Sequence, residues 1–454
     1  MNQKTHPKTR QPALRRLPLS IRLALAVYEG AWRSAAPLLR RNHRLREGLP
    51  QRLGRGLPQG PFDLWLQAAS AGEAYLARLL IDRLDPAGAY RILITTNTGQ
   101  GKDIIDAAIA ERFPAPAPRS PVSAFFPFDR PSLMHEALAV FQPRLVVLLE
   151  TEIWPGLLSA LKAAEIPAVI VNGRLQAKSL RYYRIWPKFW QNLAPERVLA
   201  VSAEDALRYG RLFGARRVSV MPNMKFDRIR TDALNEGSKP VADLLPPKTP
   251  LVVLGSVRRE EEAAVNRMLH HLRDRRSDIV IALFPRHMHR IAAWRRRLEG
   301  AGVPLRLRSQ ADAAVPPGTV LLWDVFGELA GAYAVAAAAF VGGSLAPLGG
   351  QNFLEPLACG VVPTIGPSWK TFQWVGDELF RQKLVNVAED ARQAADFLLA
   401  TLAAAPPRPA VQEALAGYVA ARRGGTAAAA AVIGQFLHGR PSPDGGHPAG
   451  SRAS

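Results

Sequence analysis

Hydrophobic positions follow two rhythms along these 454 residues. Between Leu17 and Leu39 they recur every three or four places, as Leu17, Ile21, Leu25, Tyr28, Trp32, Ala35 and Leu39, which is one face of a helix. Arg15, Arg22, Glu29, Arg33 and Arg40 fall on another face. From Phe62 the pattern changes to short, continuous apolar runs at 62–69, 91–96, 145–149, 168–172 and 198–202, with helical stretches between them. Such runs predict strands buried on both faces, hence a parallel sheet covered by helices. Linker-like stretches follow at 235–240 and 245–250. A second series then appears at 251–254, 279–284, 320–323, 337–341 and 361–365. Residues 412–437 read as one alanine-rich helix, and the closing Gly/Pro/Ser stretch as disordered. The pattern therefore predicts four parts. A basic amphipathic segment spans 1–48 and a doubly wound α/β domain 49–232. A second such domain, with a closing helix, covers 233–438, and a tail covers 439–454.

Composition changes this picture in two places. A hydrophobic fraction of 48% and a charged fraction of 21% are those of a globular protein. The single cysteine, Cys359, excludes a disulfide framework and points to a reducing compartment. The formal net charge of +21 calls for an anionic partner. No aromatic-basic RNA motif, zinc-finger spacing or basic zipper occurs, so nucleic acid is not that partner. Basic residues crowd into 1–60, where only Glu29 and Glu47 oppose them. Arg22, Glu29 and Arg33 make the first helix too polar to span a bilayer, and it has no signal-peptide cleavage site. A helix lying on an anionic leaflet fits this pattern; a helix packed on its own domain is the alternative.

Candidate chemistry gathers at strand ends. In parallel sheets ligands sit beyond the carboxyl ends of the strands, where Glu73, Thr95, Thr96, Glu150, Glu152, Asn172 and Arg174 fall. In the second half, the stretch from Val341 to Pro356 carries two glycine pairs, Gly342-Gly343 and Gly349-Gly350, between a strand and a helix. Glycines let a backbone approach a ligand closely, and a helix N-terminus suits a phosphate. Asn352 is placed to cap that helix, with Glu355 in its first turn. No Asp-x-Asp pair is present, so the acidic metal clamp common with nucleotide diphosphates is missing.

Several motifs are specific enough to name a family. They are Ala68-Ala-Ser-Ala-Gly-Glu73, Phe126-Pro-Phe-Asp129, Glu150-Thr-Glu-Ile-Trp-Pro155, Asn172-Gly-Arg-Leu175, Lys225-Phe-Asp227, Pro285-Arg-His287 and Gly327-Glu-Leu329, with the glycine stretch. In this order, over about residues 60–375, the sequence resembles the 3-deoxy-D-manno-octulosonic acid (Kdo) transferases of lipopolysaccharide assembly. The resemblance implies a GT-B fold, two Rossmann-like domains facing a cleft. It also implies inverting transfer of Kdo from CMP-Kdo to a lipid A precursor of the lipid IVA kind, without metal or cofactor. Residue by residue, it makes Glu73 the general base and gives transition-state stabilisation to Glu150 and Lys225. CMP contacts go to Pro285, Arg286, Gly327, Glu328, Leu329, Asn352, Phe353, Leu354 and Glu355, and the acceptor side to Arg174 and Lys178. It implies work at the cytoplasmic face of the inner membrane, on an anionic surface. Each residue also has a plainer reading: Glu73 as a first-turn carboxylate, Glu150 as a buried hydrogen-bonded one, Lys225, Arg174 and Lys178 as surface cations. Two departures fall on the donor side. The family's Gly-Gly-His-Asn reads Gly349-Gly-Gln-Asn352 here, and its Ser/Thr-His-x-Gly-Glu reads Ser256-Val-Arg-Arg-Glu260. Another GT-B enzyme, a transferase of a different sugar or a nucleotide-sugar epimerase, is the alternative. A non-catalytic lipid-binding protein of the same fold is a third reading, opposed by the joint presence of Glu73, Glu150 and Lys225.

Overall fold

The computed structural model describes residues 17–39, 43–84, 89–113, 119–231 and 238–438. The basic run before Leu17, the expected boundary at 232–233 and the tail 439–454 lie outside the described residues. The chain divides into two units, Met1–Arg228 with Arg422–Ser454, and Ile229–Ala421.

The first unit is built on seven parallel strands: β1 (Phe62–Gln67), β2 (Ile92–Thr96), β3 (Val122–Phe125), β4 (Pro143–Leu149), β5 (Ala168–Gly173), β6 (Arg197–Ala200) and β7 (Val218–Val220). Their order is β3-β2-β1-β4-β5-β6-β7. Alternate residues feed two cores. Trp65, Leu93, Val146, Leu148 and Ile170 pack on one face of the sheet. Leu64, Leu66, Ile94, Val147 and Val171 pack on the other. The second unit repeats the plan with β8 (Leu251–Val257), β9 (Val280–Pro285), β10 (Leu305–Leu307), β11 (Val320–Leu322), β12 (Ala338–Val341), β13 (Pro363–Ile365) and β14 (Asn386–Val387). Here the order is β10-β11-β9-β8-β12-β13-β14, again all parallel. In each sheet the winding direction reverses next to the first strand, between β1 and β4 and between β8 and β12. Loops leaving those strands diverge to opposite faces, which opens a crevice for a ligand at their carboxyl ends.

The apolar runs located ten of these strands; the four they missed are β3, β7, β10 and β14, the edges of both sheets. An edge strand is short and half solvated, so it needs no continuous apolar run. β7 is Val-Ser-Val with two exposed positions, and β14 has two residues.

Two further expectations need correction. The N-terminal helix exists as Leu19–Leu39, but its regular apolar stripe faces its own unit. Ile21 and Leu25 are 1% and 5% exposed and belong to the core. Tyr28 donates a hydrogen bond to Asp129 Oδ2 at 3.0 Å, Trp32 stacks on Phe128, and Glu29 accepts from Ser132 N at 2.9 Å. A stripe this continuous is matched to a protein surface, which explains its regularity. The expected closing helix at 412–437 is two helices, Arg408–Ala420 and Gly425–His438, separated by a turn around Gly424. The second of them returns to the first unit, where Ala429, Ile433 and Leu437 are buried against the β4 and β5 residues of its core. It therefore does not close the second domain.

Candidate functional site

Glu73 reaches its position through a capping box. The chain leaves β1 at Gln67, and Ser70 starts the helix Ala71–Leu84. Ser70 Oγ accepts from Glu73 N at 3.4 Å, and Glu73 Oε2 accepts from Ser70 N at 3.1 Å. Each side chain thus satisfies a backbone donor that the helix itself leaves open. The carboxyl is 9% exposed. Burial, and then the charges of Glu152 and Glu150, raise its pKa to about 8. Glu152, also buried, accepts from Gln67 Nε2 at 3.4 Å and from Trp154 Nε1, and burial raises it to about 7. Three carboxyl groups are therefore held close together where the sheet switches direction, and Glu73 resists ionisation more than Glu152 does.

Lys225 relieves part of that crowding. Its Nζ lies 2.6 Å from Glu150 Oε1. Glu150 turns out of β4 with φ +57°, and Asn172, next to last in β5, has φ +56°. Asn172 Nδ2 donates to Glu150 Oε1 at 3.3 Å, while Asn172 Oδ1 accepts from Met224 N at 2.9 Å. Asn172 thereby couples the end of β5 to the turn Met224–Arg228 that carries Lys225. Asp227 fixes the far side of the same turn, accepting from Gly424 N at 2.8 Å and from Thr426 N at 2.6 Å. The sequence marked Asn172 as a strand-end residue but gave no sign of this bridge, which joins positions 52 apart.

Other motif residues of the first unit hold caps and loops in place through their side chains or their backbone, or stand at the surface. Asp129 accepts from Gly156 N and Leu157 N at 2.9 and 2.7 Å, capping the helix Pro155–Ala164. Arg174 offers its carbonyl to Thr151 Oγ1 and to Tyr209 Oη, at 2.9 and 3.2 Å, and so anchors the loop after β5. Lys178 is exposed on the helix Ala177–Tyr183.

In the second unit the glycine turn after β12 is not an open phosphate cradle. Glu261, 2% exposed, accepts from Gly343 N, from Ser344 N at 3.1 Å and from Leu345 N at 3.2 Å. A carboxylate of the protein itself fills the amides that the sequence reading gave to a ligand. The turn needs its glycines for this reason. A Cβ on Gly342 would lie 2.6 Å from Glu261 Oε1, and Gly343 has φ +66°. Farther along, Asn352 Oδ1 accepts from Leu354 N at 3.2 Å and its Nδ2 donates to Glu355 Oε1 at 2.9 Å. The helix itself is Leu354–Ala358, with Glu355 in its first turn. Burial raises the Glu355 carboxyl, against the pull of Asn352 and of the Arg286 guanidinium, so Asn352, Glu355 and Arg286 share one neighbourhood.

The remaining donor-side positions divide into backbone and side-chain roles. Pro285 ends β9 and Arg286 follows it, exposed. Phe353 and Leu354 are buried, Phe353 against Phe372 and Phe380, and Leu354 N is already bonded to Asn352. Gly327 has φ +89° and Leu329 begins the helix Leu329–Val335. Glu328 is committed within the unit: Arg308 Nε and Nη2 donate to its two oxygens at 2.8 and 3.0 Å, and Trp323 Nε1 donates at 3.0 Å.

Comparison with known proteins gives consistent matches. Residues 46–228 fit the family described as 3-Deoxy-D-manno-octulosonic-acid transferase (kdotransferase). A 3-deoxy-D-manno-octulosonic acid transferase of Bordetella pertussis is 34% identical, over 83% of this chain and 89% of that protein. One from Haemophilus influenzae is 29% identical, over 66% and 69%. Among solved structures, a glycosyltransferase from Rickettsia africae aligns with a TM-score of 0.52 at 11% identity, over 82% of this chain and 98% of that one. A UDP-N-acetylglucosamine 2-epimerase aligns with 0.52 at 12%, over 86% and 100%. At such identities the likeness is one of fold, the GT-B type.

Proposed function

This chain belongs to the 3-deoxy-D-manno-octulosonic acid (Kdo) transferase family, a family of glycosyltransferases in lipopolysaccharide synthesis, and we propose that it moves Kdo from CMP-Kdo to a lipid A precursor with inversion and without a metal. The observation that carries the reading is the set Glu73, Glu150 and Lys225. A carboxyl whose ionisation is resisted by burial and by neighbouring carboxylates takes up a proton readily, which is the property a general base needs. In the reaction the acceptor hydroxyl oxygen bonds to the anomeric carbon of Kdo and its proton passes to Glu73. The bond from that carbon to the phosphate oxygen breaks, and CMP leaves with the electron pair. Lys225, oriented by Glu150, stabilises negative charge as it develops. Arg286, Asn352 and Glu355, on the segment backed by buried Phe353 and Leu354, hold CMP together with the loop at Gly327. Arg174 and Lys178 lie on the acceptor side. A CMP-sugar has a single phosphate, which guanidinium and amide groups can neutralise without an ion.

The same reading places the protein at the cytoplasmic face of the inner membrane. No helix among the described residues is long and apolar enough to cross a membrane. Two exposed apolar groups support peripheral attachment instead. Leu19, Leu23 and Val27 line the outer face of the first helix at 67%, 59% and 74% exposure. Tyr182, Ile185 and Trp186, also exposed, occupy the turn between Ala177–Tyr183 and Pro187–Asn192, among exposed Arg181, Arg184 and Lys188. Aromatic and aliphatic side chains interleaved with cations suit a headgroup layer.

The direct test is to incubate the purified protein with CMP-Kdo and a lipid A precursor and to weigh the lipid. A mass gain of one or more Kdo units is expected, falling at least about 10²-fold in rate for Glu73→Gln, which keeps the capping box. No mass gain, or near-normal turnover by that variant, would refute the respective half of the proposal.

A further inference from the structure

With the amides of the glycine turn taken by Glu261, the donor's negative charge needs other partners in the second unit. The ends of β8 and β9, paired neighbours, provide them. Arg258 directly follows β8 and Arg286 directly follows β9. Arg286 N donates to Val257 O at 2.8 Å, which sets the two segments side by side. Arg258 N donates to Glu261 Oε1 at 2.9 Å, so the carboxylate that holds the glycine turn also fixes the backbone of Arg258. His287 and His289 come next, with rings stacked 5.5 Å apart.

These groups form one field of positive charge. After burial, the charges of Arg258, Arg286 and His289 all hold His287 below its ordinary pKa, and Glu260 pulls the other way. Glu260 lies 3.8 Å from Arg258 Nε, and that Nε is buried without a hydrogen-bond partner. Cations converge with a donor left unsatisfied only at a cost, and an anion in their midst would offset it.

We propose that Arg258, together with Arg286 and His287, forms an anion subsite for the donor, reading a phosphate or a sugar carboxylate at the carboxyl ends of β8 and β9. The inference rests on the CMP-Kdo reading above. The two sources can be separated, because CMP carries the phosphate alone and CMP-Kdo carries both groups.

The experiment measures the Kd of CMP by calorimetry and the KM of CMP-Kdo in the lipid assay, for the intact protein, Arg258→Met and Arg258→Lys. Arg258→Met is expected to weaken binding at least about tenfold, with partial recovery in Arg258→Lys. Weakening of both ligands identifies the phosphate. Weakening of CMP-Kdo alone identifies the carboxylate. If Arg258→Met does not fold, as judged by its melting curve, Arg258→Lys gives the same comparison, since it keeps the charge and loses the fork. An intact protein that binds both ligands, with a folded variant matching it within about twofold, overturns the subsite alone. An intact protein that binds neither overturns the donor reading and the subsite with it.

Discussion

As the proposed general base, Glu73 should make transfer strongly pH-dependent. Burial and the charges of Glu152 and Glu150 place its pKa at about 8, against 4.5 for an ordinary glutamate. A general base acts only when ionised. At pH 7 about one molecule in eleven carries the carboxylate, and at pH 9 about ten in eleven. Transfer at saturating CMP-Kdo should therefore rise about tenfold between pH 7 and pH 9 and then level off. Glu152→Gln removes a like charge, lowers the pKa of Glu73 and moves the rising limb to lower pH, so this variant should gain on the parent near neutrality. Stability follows the same linkage. A carboxyl raised in the folded state contributes stability that is fully present below pH 4.5 and is lost as pH rises through about 8. Glu73→Gln, which cannot ionise, should accordingly melt higher than the parent at pH 9 even though its transfer rate is expected to fall. The assay is the initial rate of lipid mass gain from pH 5.5 to 9.5, with CMP affinity measured alongside. A rate that is flat from pH 6 to 9, or a limb in the ordinary carboxylate range, would refute the reasoning.

Excess EDTA should leave the initial rate unchanged, as expected of a CMP-sugar held by guanidinium and amide groups; loss of activity restored by magnesium would point to a different donor chemistry. Replacing Leu23, Val27 and Ile185 together by serine should reduce co-sedimentation with anionic vesicles several-fold without lowering the melting temperature, because these side chains are exposed. Unchanged sedimentation would remove both apolar groups from the membrane contact. Deleting the whole N-terminal helix would be a poorer test, since it also takes Ile21 and Leu25 from the core.

What could be read from the sequence, and what could not, follows from the range of the interactions involved. Central strands such as β4, purely apolar from Leu145 to Leu149, announce themselves because both faces are buried. Edge strands do not, because solvent on one side removes the requirement. Glu73 was legible because its capping box and its motif are local. The partner of the glycine turn was not: Glu261 lies 82 residues before Gly343, and nothing near either residue signals the pairing. The N-terminal stripe was read correctly as a helix face, but periodicity states that a face is buried and not against what. The exposed residues Leu19, Leu23 and Val27 carry no signal of their own in the sequence, because three apolar side chains at intervals of four make only a short run. The last helix was misassigned for a similar reason, since its burial depends on a surface more than two hundred residues away in the chain.

That returning helix bears on how the protein is made. The first unit uses segments on both sides of the second, so a complete second unit can leave the ribosome before the first is finished. Until Gly425–His438 emerges, the seat of Ala429, Ile433 and Leu437 beside Val147 and Val171 stays open to solvent, and Asp227 has no Gly424 or Thr426 to hold. The turn that carries Lys225 is tied to that same aspartate. Nascent chains would thus expose an apolar seat and leave the Lys225 turn unsettled until Gly425–His438 has been made.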